Sequence, residues 1–281
     1  MPVKNGFPYL PHAIRSTLRA LPNDAELVVL NDASTDRTAP FLDAQSDRRI
    51  RVITNSESSG VASGLNQLLD ATDSQYVARM DADDICFHGR FRHQLRRIDK
   101  LDFSFTSVIF INSNGRPTRP DSPGTISADA VGLHLLLGNI LVHPTMLARR
   151  SAIDQMGGYA KTSAEDYDLW LRSVVAGMRI ERSGTPTLFY RRHPKQVSAT
   201  GAWLRLAEDP LLDSSFTEAL SSELHTRFSN PSGIRMARST GDSSSVSVED
   251  QLLFVSHMVE ASKRLGALQK IQLNLRLRSI R

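Results

Sequence analysis

The sequence predicts an α/β fold: a mostly parallel sheet flanked by helices, followed by a helical C-terminal extension. Three observations predict it. Short apolar runs centred near residues 27, 51 and 77 read as buried strands. Segments with apolar residues at helical spacing alternate with them, which is the pattern of a parallel sheet with crossover helices. The runs near 27 and 77 stop abruptly in polar or acidic clusters, where open α/β sheets bind ligands.

Residues 1–6 form a turn-like opening. Leu10, Ile14, Leu18 and Leu21 share one helical face, with Pro8 and Pro11 at the entry and Pro22 at the exit. Residues 26–30 are a short strand that runs into Asn31, Asp32, Ala33, Ser34, Thr35 and Asp36. These small, cap-forming residues suit a strand-to-helix turn. Residues 50–53 make the next strand, and a polar loop from Asn55 to Gly60 leads into a helix with Val61, Leu65, Leu68 and Leu69 inward. Tyr76 to Met80 is the third strand. Asp81, Asp83 and Asp84 follow it at once, and three carboxylates so close stay ionised only if something positive joins them. A hard divalent cation with bound phosphates meets that need; an acidic turn with solvated charges is the plain alternative.

Downstream, Phe91, Leu95 and Ile98 mark an Arg-rich helix, and residues 103–111 are β-prone. Asn112 to Gly115 forms a hairpin turn, and residues 117–124 read as loop. Residues 128–137 are helical, His143-Pro144-Thr145 lies between apolar stretches, and Gly157-Gly158 stops a short helix. Glu165, Asp166 and Asp168 open a helix that Gly177 closes; acids in a first turn also favour the helix dipole whatever their function. Residues 187–191 form a strand leading to His193. Past residue 200 the character changes: residues 203–224 read as helix, 229–248 as a flexible linker and 249–281 as a basic amphipathic helix. From Ala261 the tail bears only positive charge. It suits an anionic membrane surface, docking on the main domain, or self-association.

The chain has 281 residues, 40% of them hydrophobic and 23% charged, with a net charge of +4. That is enough for one substantial core with an appendage. No Lys/Arg-rich arm or nucleic-acid motif accompanies the mild positive charge, so no nucleic-acid partner is expected. One cysteine, Cys86, excludes internal disulfides and cysteine-based zinc sites. No apolar run reaches the roughly 18 residues of a membrane span, and no signal-peptide core is present. A cytoplasmic setting is the expectation.

Several motifs occur in order: Pro2 to Gly6 with Asn5; Asn31 to Asp36; Asn55 with Gly60; Arg79 to Asp84; His143-Pro144-Thr145; Gly157-Gly158-Tyr159; Glu165 to Trp170; and Tyr190 to Gln196. Together they closely resemble the family 2 glycosyltransferases of the GT-A fold, especially bacterial ones that build surface polysaccharides. The resemblance covers about residues 2–198. It implies a nucleotide-binding half at about 1–100, an acceptor half at about 101–198, and an inverting, metal-dependent sugar transfer. Asp32 would pair with the nucleotide base, Pro2 and Val3 would line its pocket, and Arg79 would approach the base or diphosphate. Asp81 would contact the ribose or the metal, and Asp83 would hold Mg²⁺ or Mn²⁺ against the diphosphate, within reach of His193. Asp166 would be the catalytic base, with Glu165 beside it and His143 near the acceptor. A UDP-linked sugar is the implied donor, and a glycan or lipid-linked glycan at the inner membrane face the implied acceptor.

Two departures stand out. The family has an apolar strand directly before Pro-x-x-Asn, whereas only Met1 precedes Pro2 here. The expectation is a sheet missing its first strand, through an upstream extension or a damaged copy. Asn31 replaces the usual acid and Ala33 the usual glycine beside Asp32. Two rival readings are a sugar nucleotidyltransferase, which lacks a matching Gly/Lys-rich loop here, and a non-catalytic nucleotide-sugar-binding protein.

Overall fold

A computed structural model describes residues 1–121, 124–194, 196, 209–240 and 246–278. The first half alternates strand and helix. The two-residue β1 (Pro2–Val3) is followed by α1 (Leu10–Ala20), β2 (Leu27–Asp32), α2 (Thr38–Asp43), β3 (Ile50–Asn55) and α3 (Val61–Asp70). Strands β1, β2 and β3 form a parallel sheet in that order, with Pro2 opposite Leu30 and Val3 opposite Asn31. The Met1 amino group donates to the Val28 carbonyl at 2.8 Å, and Leu30 N–H donates to the Met1 carbonyl at 2.9 Å. The residues before Asn5 thus supply a short parallel partner along β2. Gly64 lets α3 lie close on this sheet, since a Cβ there would stand 2.9 Å from Leu30 Cδ2.

The chain then crosses to a mixed sheet. Its elements are β4 (Tyr76–Ala78), β5 (Ile85–Cys86), α4 (Arg90–Leu95), β6 (Phe103–Ile111), β7 (Pro117–Pro120), α5 (Ala128–Leu135), β8 (Leu147–Arg149), α6 (Arg150–Gln155), α7 (Glu165–Val175) and β9 (Ile180–Arg191). The strand order is β4-β8-β6-β9-β5, with β7 on the outer part of β6; β6 and β9 run parallel and the other pairs antiparallel. The parallel arrangement therefore holds for the first three strands, and the second sheet is mixed. Among the described residues β1 and β4 are not paired, so the two sheets stay separate.

Residues 117–124 were expected as loop, but 117–120 form β7. Its prolines are tolerated because it is an exposed edge strand needing few donors. The strand expected at 187–191 is the end of the 12-residue β9. Trp170 on α7 sits fully buried against the edges of Phe103 and Phe105 from β6, and forms the centre of the larger core.

The C-terminal region differs most from the sequence expectation. Its helices are α8 (Pro210–Leu224), α9 (Pro231–Thr240), α10 (Val248–Ser262) and α11 (Ala267–Arg278). The stretch read as a flexible linker holds α9, because Ile234 and Ala237 bury their side chains in the main core and outweigh the turn-rich composition. The single basic helix expected over 249–281 is two helices, interrupted by Lys263 to Gly266. Residues 203–208 and 279–281 of these expected helices lie outside the described residues.

Leu212, Phe216, Leu220, Phe254, Met258, Leu273 and Leu277 join the same core as Trp170. The buried Asp168 carboxylate ties this region to α7, accepting from Ser215 Oγ at 2.6 Å and Arg172 Nε at 2.8 Å. On α11, Arg276 donates to the carbonyls of His134 (2.9 Å) and Leu137 (3.2 Å), and Gln269 Nε2 to that of Thr125 (2.7 Å). The tail therefore docks on the main domain through part of its basic charge, while Leu268, Ile271 and Leu275 stay exposed. No helix among the described residues is long and apolar enough to cross a membrane.

Ala33 sits at φ +55°, in the left-handed region that costs an L-residue roughly 1–2 kcal/mol. Replacing it by glycine relieves that strain at some cost in unfolded-chain entropy. We expect Ala33→Gly to stabilise the chain by about 0.5–1 kcal/mol, read as a higher urea midpoint at unchanged m-value.

Candidate active site

One cleft of about 1320 Å³ runs along the carboxyl ends of β1, β2, β4 and β9 to the start of α7. All ten residues singled out from the sequence line it: Pro2, Val3, Asp32, Arg79, Asp81, Asp83, His143, Glu165, Asp166 and His193.

At one end, β2 delivers Asp32. Its Oδ1 accepts from Ser59 N (2.8 Å), Ser59 Oγ (3.1 Å) and Asn55 Nδ2 (3.2 Å), while Oδ2 accepts from Ser58 Oγ at 2.7 Å. Burial opposes ionisation, but these donors together hold the carboxyl down at about 2. Oδ2 keeps capacity for one more donor, and that oxygen can meet an N–H of a ligand. The N-terminal turn is pinned beside it. Asn5 Oδ1 accepts from Thr35 N (2.8 Å), and Asn5 N, Gly6 N and Phe7 N donate to Ser34, Thr38 and Asp36.

In the middle stand the acids that end β4. Single carboxylate oxygens of Asp81, Asp83 and Asp84 all lie within 4.8 Å of one another. Arg79 Nη2 meets Asp81 Oδ1 at 2.5 Å, and His193 Nε2 lies 2.9 Å from Asp83 Oδ2. Asp84 is fully buried. Its Oδ1 accepts from Arg191 N at 2.8 Å, but its Oδ2 has no hydrogen-bond partner among the described residues. Burial, and then repulsion from Asp81, push both Asp83 and Asp84 up, Asp84 well above the carboxylate range. An all-oxygen donor set with a buried, unpartnered carboxylate oxygen and excess negative charge fits a hard divalent cation.

The backbone of this loop is fixed from beneath by residues the sequence reading passed over. Arg90 on α4 is fully buried and forms no ion pair among the described residues. Its Nη2 donates to the carbonyls of Arg79 (2.7 Å) and Met146 (3.1 Å), and its Nε to Gln94 Oε1 (3.1 Å). Gln94 in turn donates to the carbonyls of Ser104 and Thr145, both at 2.8 Å. Arg191 reaches back to the Asp83 carbonyl at 2.8 Å and lies 4.4 Å over the Tyr9 ring. Arg90, Gln94 and Ile98 do share one helical face, and polar residues in register with a buried apolar one were the available signal.

At the far end, α7 presents Glu165 and Asp166. Asp166 Oδ2 accepts from Asn139 Nδ2 at 3.0 Å and its Oδ1 from Tyr167 N at 2.7 Å. Burial raises Asp166 against these donors, and burial with repulsion from Asp166 raises Glu165 to about 7. Asn139 follows Gly138, whose φ of +112° turns the chain toward the cleft; no local pattern marks it in the sequence. His143 is buried between Tyr159, whose hydroxyl lies 3.0 Å from Nε2, and the edge of Trp170. Burial, reinforced by Arg79, lowers it well below its ordinary value, so it is a neutral ring in the cleft wall.

This sheet-and-cleft arrangement is that of the GT-A glycosyltransferase fold. Residues 1–157 match the family model described as Glycosyl transferase family 2, and the chain belongs to that family. It is 32% identical over 195 residues to the succinoglycan biosynthesis protein ExoU of Rhizobium meliloti, covering 63% of this chain and 56% of that one. It is 26% identical over 188 residues to the UDP-Glc:alpha-D-GlcNAc-diphosphoundecaprenol beta-1,3-glucosyltransferase WfaP of Escherichia coli, covering 66% and 73%. The chain spans between 56% and 63% of the length of three curated relatives, ExoU among them. Among solved structures, S. aureus TarS 1-349 in complex with UDP-GlcNAc shares the fold at a TM-score of 0.61 and 17% identity, over 95% of this chain and 81% of that one. The mannosyltransferase PcManGT of Pyrobaculum calidifontis, in complex with GDP-Man and Mn²⁺, does so at 0.55 and 15%, over 98% and 82%.

The raised Glu165 gives a signed pH dependence. Between its ordinary value of 4.5 and about 7, the folded chain holds this proton and the unfolded chain does not. Stability therefore falls as pH climbs through that window and levels off above it. Asp83, Asp84 and Asp166 act in the same direction. Glu165→Gln is expected to flatten the fall without abolishing it, read from urea midpoints across the window. Removing the buried guanidinium with Arg90→Leu leaves backbone carbonyls unpaired, and is expected to cost about 2–4 kcal/mol in the same assay.

Proposed function

We propose that this chain is an inverting glycosyltransferase that moves a sugar from a UDP-linked donor to a hydroxyl of a glycan or lipid-linked glycan during surface-polysaccharide synthesis. One observation carries the reading: a single cleft is lined by Asp32, Asp81, Asp83 and Asp166 together. That set supplies one acid each for a base and an acceptor, and two for a diphosphate with its ion. Asp32 offers Oδ2 to the base, and Pro2 and Val3 form the wall beside it. Asp81 and Asp83, joined by the unpartnered oxygen of Asp84 and within reach of His193, would hold Mg²⁺ or Mn²⁺. When bound, the ion would neutralise charge on the leaving diphosphate. Arg79, buried against Asp81, adds a fixed positive charge nearby.

Transfer is a single displacement. The acceptor oxygen bonds to the anomeric carbon as the bond from that carbon to the diphosphate breaks, and UDP leaves. The acceptor proton passes to Asp166, whose orientation Asn139 and the Tyr167 N–H hold. Attack opposite the leaving group inverts the anomeric centre. Glu165, poised near 7, shares the acceptor side and can hydrogen-bond the incoming hydroxyl in either protonation state. His143 supports this wall as a neutral ring.

Support for the acceptor class comes from the similarity to WfaP and ExoU, and for the donor class from the fold shared with the UDP-GlcNAc-bound TarS. The setting that follows is the cytoplasmic face of the membrane, with the exposed Leu268, Ile271 and Leu275 of α11 as a peripheral contact.

Asp166→Asn is expected to lower transfer by about 10²–10⁴-fold with UDP affinity essentially unchanged, measured by UDP release over a panel of nucleotide sugars and by calorimetry. Parallel loss of UDP binding would assign Asp166 a structural role instead. Asp83→Ala is expected to abolish the metal dependence of UDP binding. Unchanged metal titration in that variant would remove Asp83 from the ion site.

A further inference from the structure

The acceptor end of the cleft is walled by arginines from the C-terminal helices. Arg235 and Arg238 on α9 and Arg276 on α11 line the same cleft as Ser163, Glu165 and Asp166. Helix α9 packs on α8, and α8 packs on α7, the helix that opens with Glu165 and Asp166. The arginines therefore belong to the acceptor side.

Their environments differ. Arg235 is fully buried and pairs with Asp213, Nε to Oδ1 at 2.7 Å. Arg276 donates to the His134 and Leu137 carbonyls. Arg238 is half-buried with its guanidinium carbon 5.2 Å over the Phe254 ring, its Nε is buried without a hydrogen-bond partner, and among the described residues it meets no carboxylate. A half-buried guanidinium whose Nε is shielded from water, with no acid beside it among the described residues, gains from an anion that joins it. A phosphate is the natural one, because its oxygens match the planar fork of donors that arginine presents.

We propose that Arg238, flanked by Arg235 and Arg276, forms an anion subsite that holds a phosphate group carried by the acceptor. The inference rests on the acceptor reading above, and it gives the C-terminal helices a direct part in acceptor selection. The donor reading assigns the diphosphate to Asp81 and Asp83, so the Arg238 subsite would be a second phosphate site in the same cleft.

The test uses the full chain saturated with UDP and Mg²⁺, which blocks the donor site. Inorganic phosphate and geranyl phosphate are then titrated in separate arms, followed by ³¹P NMR. Wild type is expected to bind both. Arg238→Gln is expected to weaken both by about tenfold or more, and Arg238→Lys to retain part of the affinity, with UDP binding unchanged in both variants. Tighter binding of geranyl phosphate than of inorganic phosphate assigns the anion to a lipid-borne phosphate. Equal binding assigns it to phosphate alone; both results support the subsite. Unaltered phosphate binding in Arg238→Gln overturns the proposal, as does a parallel loss of UDP affinity, which would move Arg238 to the donor. A wild-type chain that does not bind UDP overturns the donor reading instead, and the Arg238 dependence of the phosphate titrations still decides the subsite.

Discussion

Three carboxylates crowd the end of β4, and the backbone around them holds them there more than opposite charge does. Asp84 takes the Arg191 N–H on one oxygen, and Arg191 returns a donor to the Asp83 carbonyl. Arg90 grips the Arg79 carbonyl from below. Among the described residues, Arg79 pairs with Asp81, and His193 lies within hydrogen-bond distance of Asp83. The cluster therefore holds mutual repulsion in place, and its oxygens lie close enough together to fit a cation. The end of β9, the depth of the cleft and the place of Tyr9 between Arg191 and His193 all follow from that junction.

The part of the cleft that holds Glu165 and Asp166 depends on a different kind of support. Helix α7 must place two acids in the cleft at its first turn while burying Trp170 one turn further on. The buried Asp168 settles this by binding Arg172 on its own helix and Ser215 on α8. The C-terminal helices thus share the core under Glu165 and Asp166. Arg276 extends the same support, because it holds the Leu137 carbonyl two residues before Asn139, and Asn139 orients Asp166.

Much of the site was legible in the chain itself. Asp32, Asp81 and Asp83 end apolar runs, and a buried strand has to stop where ionised groups begin. Glu165 and Asp166 open a periodic apolar helix and favour its dipole, so their position showed although their purpose did not. Asp84 looked redundant in sequence, since its partner Arg191 lies 107 residues away. Arg90 does not stand out in an Arg-rich helix, because burial of a guanidinium against carbonyls leaves no compositional trace. Residues 229–248 read as linker for the reason that misplaces many short helices: turn-rich composition is local, whereas the burial of Ile234 and Ala237 is not.

By itself the sequence determined the alternation of strands and helices, the acids at the strand ends and their order along the chain. Those features obey short-range rules of periodicity and charge. Only the tertiary structure decided that the acids share one cleft, that the second sheet is mixed, that the tail folds back as two helices, and that Arg238 lines the same cleft as Asp166. These depend on contacts between residues far apart in sequence, whose free energy comes from removing surface from water and pairing buried polar groups, and such pairings leave no repeating signal along the chain.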